Sequence, residues 1–480
     1  MAGTYARRTE ALILGGGPAG YMAAIRLGQL GRAPVLVERR DLGGECLNRG
    51  CIPSKTLLRS AHLFRELATS GAVPGIAADG LRFDMARLQA AKQEVVLRER
   101  QGVQTLLKSA GVTVLAGGAR FTGPNSVELT APDGGRERID FAQALIATGA
   151  EPLILAGFEP DGRTVLTPWE LLDLDRLPRS MLVLGGGVSG CELGQFAAEV
   201  GVSVTIVELM PQILPGLDAD LSRELTGAFE KGGISVRTGT RAERLQRSAD
   251  GVHLSVTSPK GPEELAAEML FLTVGKRPAT RELGLEDAGV ACDPRTGAVT
   301  VDAAQRTSQP HIFAAGDVGR PPMLAHKAYR EGIVAAEGMA GRPARYDFRA
   351  VPSVVFTVPE IASTGLTLAE ATAQGRSARE VRFPYAALGR AHAYHATAGW
   401  LKVVGEEGTG LLLGVHAVGH SCGEFAAEAA LALEMGATVR DVAGTIHPHP
   451  TFSEMLQEAA FLWLDEPMHV ARRRVPDRPR

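Results

Sequence analysis

The pattern that most constrains this chain is a short apolar strand, a glycine turn, a helix of small residues and a second strand ending in an acid. It occurs twice. Ala11-Leu12-Ile13-Leu14 runs into Gly15-Gly16-Gly17-Pro18-Ala19-Gly20, and the strand that follows ends at Glu38. Met181-Leu182-Val183-Leu184 runs into Gly185-Gly186-Gly187-Val188-Ser189-Gly190, and its second strand ends at Glu208. The spacing from first glycine to acid is the same in both copies. Each glycine has its own reason. Gly15 and Gly185 permit the tight turn, Gly17 and Gly187 let a pyrophosphate approach the backbone, and Gly20 and Gly190 let the helix pack on its strand. Phosphates then meet the positive helix end, while Glu38 and Glu208 accept hydrogen bonds from a ribose diol and repel a 2′-phosphate. Order and repetition together predict an α/β chain with two Rossmann-like dinucleotide folds.

Just downstream of the first copy lies Gly43-Gly44-Glu45-Cys46-Leu47-Asn48-Arg49-Gly50-Cys51-Ile52-Pro53-Ser54-Lys55. The plainest account of its cysteines is two small buried apolar residues. Against that, Pro53 near a helix start, the helix dipole and Lys55 would all favour a thiolate at Cys51. The chain has five cysteines, an odd and sparse set that makes no disulfide framework and suits a reducing cytoplasm. A persistent disulfide there would be catalytic. Cys191, Cys292 and Cys422 stand alone and read as core or surface thiols.

Length and composition set the outer bounds. With 480 residues the chain exceeds one core, which predicts about three domains. A net charge of -3 gives no reason to expect nucleic acid or an anionic membrane as partner. No stretch is long and apolar enough to span a bilayer, and Arg7-Arg8-Thr9-Glu10 passes into a strand without the apolar core of a secretory signal. The arginine-rich end, residues 471–480, reads as a frayed tail. Residues 57–111 look largely helical, and 112–146 hold short strands. Beyond residue 348, alternating strands followed by helices predict a separate α+β domain.

Near the end stands His447-Pro448-His449-Pro450-Thr451-Phe452-Ser453-Glu454. Pro450 keeps His449 out of the helical region and restricts the direction of its ring. An imidazole there is a suitable base for a thiol, since it titrates near neutrality. Glu454 can orient that imidazole, or it can close a capping box with Thr451 for a helix over 455–464. Both roles stay open. A metal at His447 and His449 is disfavoured, because no acid or thiol spacing completes a site.

Together with Ala147-Thr148-Gly149, Ala315-Gly316-Asp317 and Met323-Leu324-Ala325-His326-Lys327, these motifs resemble the class I flavin-dependent pyridine nucleotide-disulfide oxidoreductases along essentially the whole chain. The dihydrolipoamide dehydrogenase branch is the most similar. The resemblance implies an FAD-binding domain from 1–150 and 277–347, an NAD-binding domain from 151–276 and a dimerisation domain from 348–480. It places FAD on the first glycine loop, with Glu38 on the adenosine ribose, Ala119 on the adenine side and Asp317 on the ribityl chain. Gly44, Thr148 and Gly149 join that site, and Met323, Leu324, Ala325 and His326 pass near the flavin ring. NAD falls to the second loop, Glu208 and Gly275, while Lys55 and Glu192 pair beside the flavin.

For the chemistry, the resemblance makes Cys46 the sulfur that exchanges with substrate and Cys51 the one facing flavin. His449 becomes the base, with Glu454 orienting it. It also implies a homodimer in which His449 serves the partner's disulfide, acting on a lipoyl-bearing carrier of a 2-oxo acid dehydrogenase or glycine-cleavage system. Among rivals, glutathione reductase expects NADP, yet no basic residue follows Glu208 until Arg223. Mercuric reductase expects cysteines near the C-terminus, and none follows Cys422. A soluble transhydrogenase would lack the cysteine pair, and a flavoprotein serving only as a structural subunit would keep FAD without dithiol turnover. Glu45, Arg49 and the pair Tyr329-Arg330 depart from the common pattern of the branch and alter the surroundings of the site.

Overall fold

Leu12, Ile13 and Leu14 have almost no exposed surface, and the strand they end, Ala6–Leu14, is the spine of the first of two structural units. The computed structural model describes residues 6–69 and 73–471, so nearly all of the arginine-rich tail lies outside the described residues. The first unit takes in the chain through Leu57, Asp84–Arg176 and Leu272–Asp347, and the second takes in the remainder.

In the first unit, Ala6–Leu14 pairs in parallel with Val35–Glu38 on one side and with Arg136–Ile146 on the other. Val35–Glu38 pairs onward with Thr113–Ala116. The far edge of Arg136–Ile146 is shared. Its first half holds Ser126–Thr130 antiparallel, and its last three residues hold Ile312–Ala314 in parallel. The sheet therefore recruits a strand from far along the chain, and that strand carries the Gly316-Asp317 turn to the ends of the central strands. Helices Pro18–Gln29 and Ala325–Met339 pack closely, because Gly332 has no side chain: a Cβ there would lie 2.2 Å from the carbonyl oxygen of Ala19. Arg26 and Glu337 add an ion pair at 2.6 Å.

The expectation of helix across 57–111 holds for Cys51–Ala68 and Met85–Ser109 but not for 73–84 between them. Pro74-Gly75 and Asp79-Gly80 break the pattern, and Asp84 restarts it, its carboxylate capping the second helix by accepting from the Arg87 N–H at 3.0 Å.

The second unit repeats the first module. Its strands run in the order Ser235–Arg237, Ser203–Val207, Ser180–Leu184, Met269–Leu272, the first three in parallel, with helix Val188–Glu199 following the glycine turn. The backbones of the two turns nearly coincide, with φ/ψ of -75°/-172° at Gly17 and -74°/-174° at Gly187. An antiparallel sheet of Arg241–Ser248, Gly251–Ser258 and Gly261–Ala267 is attached to it.

Residues beyond 348 form the expected α+β part, an antiparallel sheet in the order Ser353–Val355, Glu360–Gly365, Leu412–Gly419, Trp400–Glu406, Ala378–Pro384. Helix Glu454–Trp463 lays Met455, Leu456, Ala459, Ala460 and Trp463 on the core that this sheet shares with Phe383, Leu401 and Val403. Gly405 makes room for the Trp463 ring, where a Cβ would intrude to 2.6 Å, and the indole N–H donates to the Arg379 carbonyl at 3.1 Å. Among the described residues no helix is long and apolar enough to cross a membrane.

Candidate active site

The two glycine turns are built alike at the atomic level. In the first, Glu38 Oε2 accepts the Gly16 N–H at 2.6 Å and Oε1 accepts the Arg40 N–H at 2.8 Å. In the second, Glu208 Oε2 accepts the Gly186 N–H at 2.6 Å and Oε1 accepts the Met210 N–H at 2.7 Å. Each acid is thus locked over its turn, and carboxylate oxygens keep lone pairs for further donors such as a ribose diol. Gly15 takes φ +104°, and a Cβ at Gly20 would lie 1.8 Å from the Gly15 carbonyl oxygen, so turn and helix contact need glycine for the protein's own sake. Gly17 and Gly187 differ. A Cβ at Gly17 would meet only Gly44 Cα at 3.6 Å, and one at Gly187 would meet nothing within 4 Å. No side chain caps either helix start. Open space beside uncapped helical N–H groups fits a pyrophosphate in both modules.

Around the first turn, Thr148 Oγ1 donates to the Ala279 carbonyl at 3.0 Å and Gly149 accepts the Ala279 N–H at 3.0 Å, with Gly149 at φ +73°. Gly275 accepts the Leu153 N–H at 2.9 Å, and Ala119 lies in strand Gly118–Gly123 opposite Leu129. Buried Glu331 accepts the Gly316 N–H at 2.9 Å and pairs with Lys327 at 2.8 Å, which fixes the turn that presents Asp317. Burial raises the Asp317 carboxyl, with Lys276 opposing and Glu45 reinforcing the shift. Met323 and Leu324 lead into the helix that Ala325 and His326 begin.

The sulfurs sit on two consecutive helices, Gly44–Arg49 and Cys51–Ala68. Asn48 anchors the first, donating to the Leu42 and Gly44 carbonyls at 3.0 and 2.8 Å while accepting from Arg100 at 2.8 Å. Cys46 and Cys51 carry free thiols that hydrogen-bond to each other. Their acidities separate. The hydrogen bond from Cys46, together with the charges of Lys55 and Lys276, outweighs burial and lowers Cys51 from 9.0 to about 7. Cys46, donating that bond and buried, is pushed up. Cys51 also begins its helix, where the dipole favours a thiolate. The surroundings thus favour the thiolate at Cys51 over that at Cys46.

His449 and Glu454 meet in the second unit. Glu454 Oε1 bonds His449 Nδ1 at 2.8 Å, while Oε2 accepts the Thr451 N–H at 2.7 Å. The two roles that the sequence leaves open are therefore both filled, one by each oxygen. Thr451 Oγ1 turns instead to the Pro448 carbonyl at 2.8 Å, so the capping box is half made. With Nδ1 held by the carboxylate, Nε2 is the nitrogen left to take a proton, and the His449 side chain is 76% exposed to another molecule. His447 instead bonds Glu428 at 2.8 Å and the Thr445 carbonyl at 2.9 Å, and the Glu428 bond raises its pKa. Among the described residues no cluster could hold a metal ion. Glu192 is buried on helix Val188–Glu199 and accepts the Phe356 N–H at 2.9 Å. Cys191 and Cys422 are fully buried thiols and Cys292 is partly buried.

Residues 9–332 match the model of the pyridine nucleotide-disulphide oxidoreductases, and residues 351–460 match the dimerisation domain of the same group. The chain belongs to that family. A dihydrolipoyl dehydrogenase of Thermus scotoductus is 44% identical over 471 residues, covering 97% of this chain and 99% of the relative. One of Geobacillus stearothermophilus is 40% identical over 470 residues, covering 98% and 99%. The crystal structure of LpdA from Mycobacterium tuberculosis superposes with a TM-score of 0.88 at 31% identity, covering 95% of this chain and 99% of that one.

The chain is accordingly a flavoprotein oxidoreductase with FAD and NAD as cofactors. In this oxidoreductase several residues around the sulfurs escape a reading of motifs. Trp169 donates to Glu45 Oε1 at 3.2 Å, Lys276 to Glu45 Oε2 at 2.6 Å, and Arg40 and Arg49 lie 4.8 and 5.4 Å from the centre of the Trp169 ring. Arg237, distant from Glu208 in sequence, lies on the neighbouring strand in register with Val207. The charges at Glu45 and Arg49, read as departures, were the one signal in the sequence that pointed towards this cluster.

Proposed function

We propose that this oxidoreductase oxidises a protein-bound dihydrolipoyl group to lipoyl with reduction of NAD. The observation that carries this reading is the position of the sulfur pair: Cys46 and Cys51 lie on consecutive helices that begin at Gly44, whose Cα would be 3.6 Å from a Cβ at Gly17 of the first glycine turn. Bound FAD supplies the step that passes two electrons from the dithiol chemistry to NAD as hydride. The protein's own residues do the rest. His449 takes a thiol proton on Nε2, and Glu454 holds the ring and balances the imidazolium charge. The substrate thiolate attacks Cys46, the Cys46–Cys51 bond breaks, and Cys51 leaves as the thiolate that its surroundings favour. The second substrate thiolate then displaces Cys46, closing the lipoyl disulfide. Two electrons thereby pass from the substrate to the pair; one thiol proton stays on His449 Nε2 and the other goes to Cys46 as it leaves, while Cys51 remains a thiolate.

The assignment of residues 1–150 and 277–347 to FAD, 151–276 to NAD and 348–480 to the dimer interface belongs to this reading, as does a pairing of Lys55 with Glu192. The dimerisation domain supports a homodimer. So do Leu431, Met435 and Ile446, large apolar side chains left exposed in that part of the chain. In the dimer, His449 of one protomer serves the disulfide of its partner. A lipoyl carrier protein and a cytoplasmic setting complete the proposal.

The test is direct. Purified holoenzyme should reduce NAD with dihydrolipoamide at least about a hundredfold faster than it reduces NADP, and glutathione should be inert; each factor of ten corresponds to about 1.4 kcal/mol of transition-state discrimination. Turnover confined to glutathione and NADP would overturn the reading.

A further inference from the structure

Glu45 stands immediately before Cys46 in the short helix Gly44–Arg49, and neither of its oxygens faces solvent alone. Oε1 is held by the Trp169 indole at 3.2 Å, which fixes the carboxylate plane, and Oε2 holds the Lys276 ammonium at 2.6 Å. Trp169 is in turn fixed by its place in helix Pro168–Leu171, whose start is closed by a complete capping box between Thr167 and Glu170. Lys276 begins the strand Lys276–Pro278, paired with Ala150–Pro152, and Arg277 beside it is bound to Glu151 at 2.9 Å. A lysine with four rotatable bonds loses much freedom when it is held. Here both ends of the tether are braced, and the carboxylate that grips the ammonium belongs to the residue next to one of the reacting sulfurs.

We propose that Glu45 is a positioning residue, holding Lys276 beside the helix that carries Cys46, from where its ammonium group stabilises Cys51 as a thiolate. The inference deepens the reading of the site as a dithiol oxidant and rests on it for its purpose. Several charged or titratable groups act on Cys51. Cys46 comes from the preceding helix, Lys55 from its own helix one turn along, Lys276 from the strand and Tyr329 from helix Ala325–Met339. Asp317 acts on Lys276 as a second acid. Of the two cations, Lys55 is carried by the same helix as Cys51. Lys276 arrives from a distant strand, and its position depends on Glu45. Burial alone would disfavour the ammonium form; the charge and hydrogen bond of Glu45 reverse that. Glu45 thus keeps Lys276 charged as well as placed.

The experiment uses FAD-loaded protein carrying Cys46→Ser, in which Cys51 is the one remaining thiol of the pair and the introduced hydroxyl can still donate a hydrogen bond. Thiolate at Cys51 is followed against pH by the long-wavelength band it gives with bound flavin, and separately by the rate of alkylation with iodoacetamide. Adding Lys276→Met should move the midpoint upward by about half a unit or more, leaving roughly threefold less thiolate at pH values below the midpoint. Lys276→Arg, which retains the charge and the bond to Glu45, should restore the midpoint. In a Glu45→Ala background the same Lys276→Met change should shift the midpoint less than half as far, because the ammonium is no longer held there. An unmoved midpoint in Lys276→Met would overturn the proposal, and an equal shift in both backgrounds would overturn the tether. Dihydrolipoamide–NAD turnover by the unaltered holoenzyme is assayed beside it. Loss of that turnover would refute the proposed reaction while leaving the Cys51 titration interpretable.

Discussion

At the scale of single residues, the site works by giving chemically similar groups different tasks. Cys46 and Cys51 are both partly buried thiols, yet one donates a hydrogen bond and the other receives it, and two lysines act on the receiver. Glu454 divides in the same way, one oxygen on His449 and the other on the Thr451 N–H. Glu454→Gln separates these uses. The amide can still accept from Thr451 and keep the helix start, but it carries no charge to balance an imidazolium. Dithiol turnover should fall about a hundredfold, the lower end of what a positioned acid–base group contributes, while the melting temperature stays within a few degrees of wild type. Equal losses of turnover and stability would mean that Glu454 acts only as a cap. Steady-state kinetics and thermal melts on one preparation distinguish the two.

Among elements, the glycine turns give the sharpest contrast between residues the fold needs and residues a ligand needs. Gly20→Ala drives a methyl group into the Gly15 carbonyl, and overpacking against backbone should cost about 3 kcal/mol or more. Gly17→Ala meets ordinary contact distances, so the protein should fold with nearly wild-type stability yet lose FAD on dialysis, because the methyl group fills the open space beside the helix start. Calorimetry of the two variants, with flavin content measured by absorbance, checks both outcomes.

These turns were legible because their pattern is local: strand, turn, helix and acid lie within one stretch of chain, and both copies keep the same spacing. The same holds for the cysteine motif and for His449 with Glu454. Other parts were not. Glu331, Lys276, Trp169 and Arg100 reach the site from distant elements, and their side chains alone give no sign of it. Strand Arg241–Ser248 was also hidden. Its sequence, Arg-Ala-Glu-Arg-Leu-Gln-Arg-Ser, is built of good helix formers, and antiparallel pairing with Gly251–Ser258 overrides that preference. Between the two helices over 57–111, the break at 73–84 is marked in the sequence by Pro74-Gly75, Asp79-Gly80 and the N-cap residue Asp84, breakers that a reading of the stretch as largely helical passes over.

Over the whole molecule, buried charge joins parts of the second unit that lie far apart in sequence. Lys402, almost fully buried in the antiparallel sheet, reaches Asp218 at 2.6 Å, Asp220 at 3.1 Å and Glu380 at 3.2 Å. Asp218 caps helix Ala219–Lys231 of the nucleotide-binding module, so this lysine ties the module to the sheet. Burial raises Asp218 and Asp220, but the hydrogen bonds and charge of Lys402 outweigh it and hold both carboxyls below their usual range. Such groups bind protons less readily folded than unfolded. Their stabilising contribution is therefore present at neutral pH and is lost as pH falls through the carboxylate range and below. Lys402→Met leaves three neighbouring acids without their cation and should cost about 3 kcal/mol or more at neutral pH. It should also flatten the acid limb of the stability curve, which melts between neutral pH and pH about 3 would reveal. At the same scale, protomers carrying Cys46→Ser should be inactive alone, as should those carrying His449→Gln. Mixed by unfolding and refolding, the two should recover activity, since a heterodimer contains one intact site. No recovery would place His449 and the disulfide of a working site in one protomer.

The central claim is that electrons enter at Cys46 and leave from Cys51. The most direct measurement follows absorbance when dihydrolipoamide is added without oxygen to FAD-loaded protein carrying Cys46→Ser or Cys51→Ser. With Cys46→Ser, the long-wavelength thiolate band should be present before the dithiol is added, with a midpoint below the ordinary thiol range because Lys55 and Lys276 still act on Cys51, and NAD should not be reduced. With Cys51→Ser, that band should be absent while the Cys46 thiol remains open to alkylation. The reverse assignment, a band in Cys51→Ser and none in Cys46→Ser, would contradict the account.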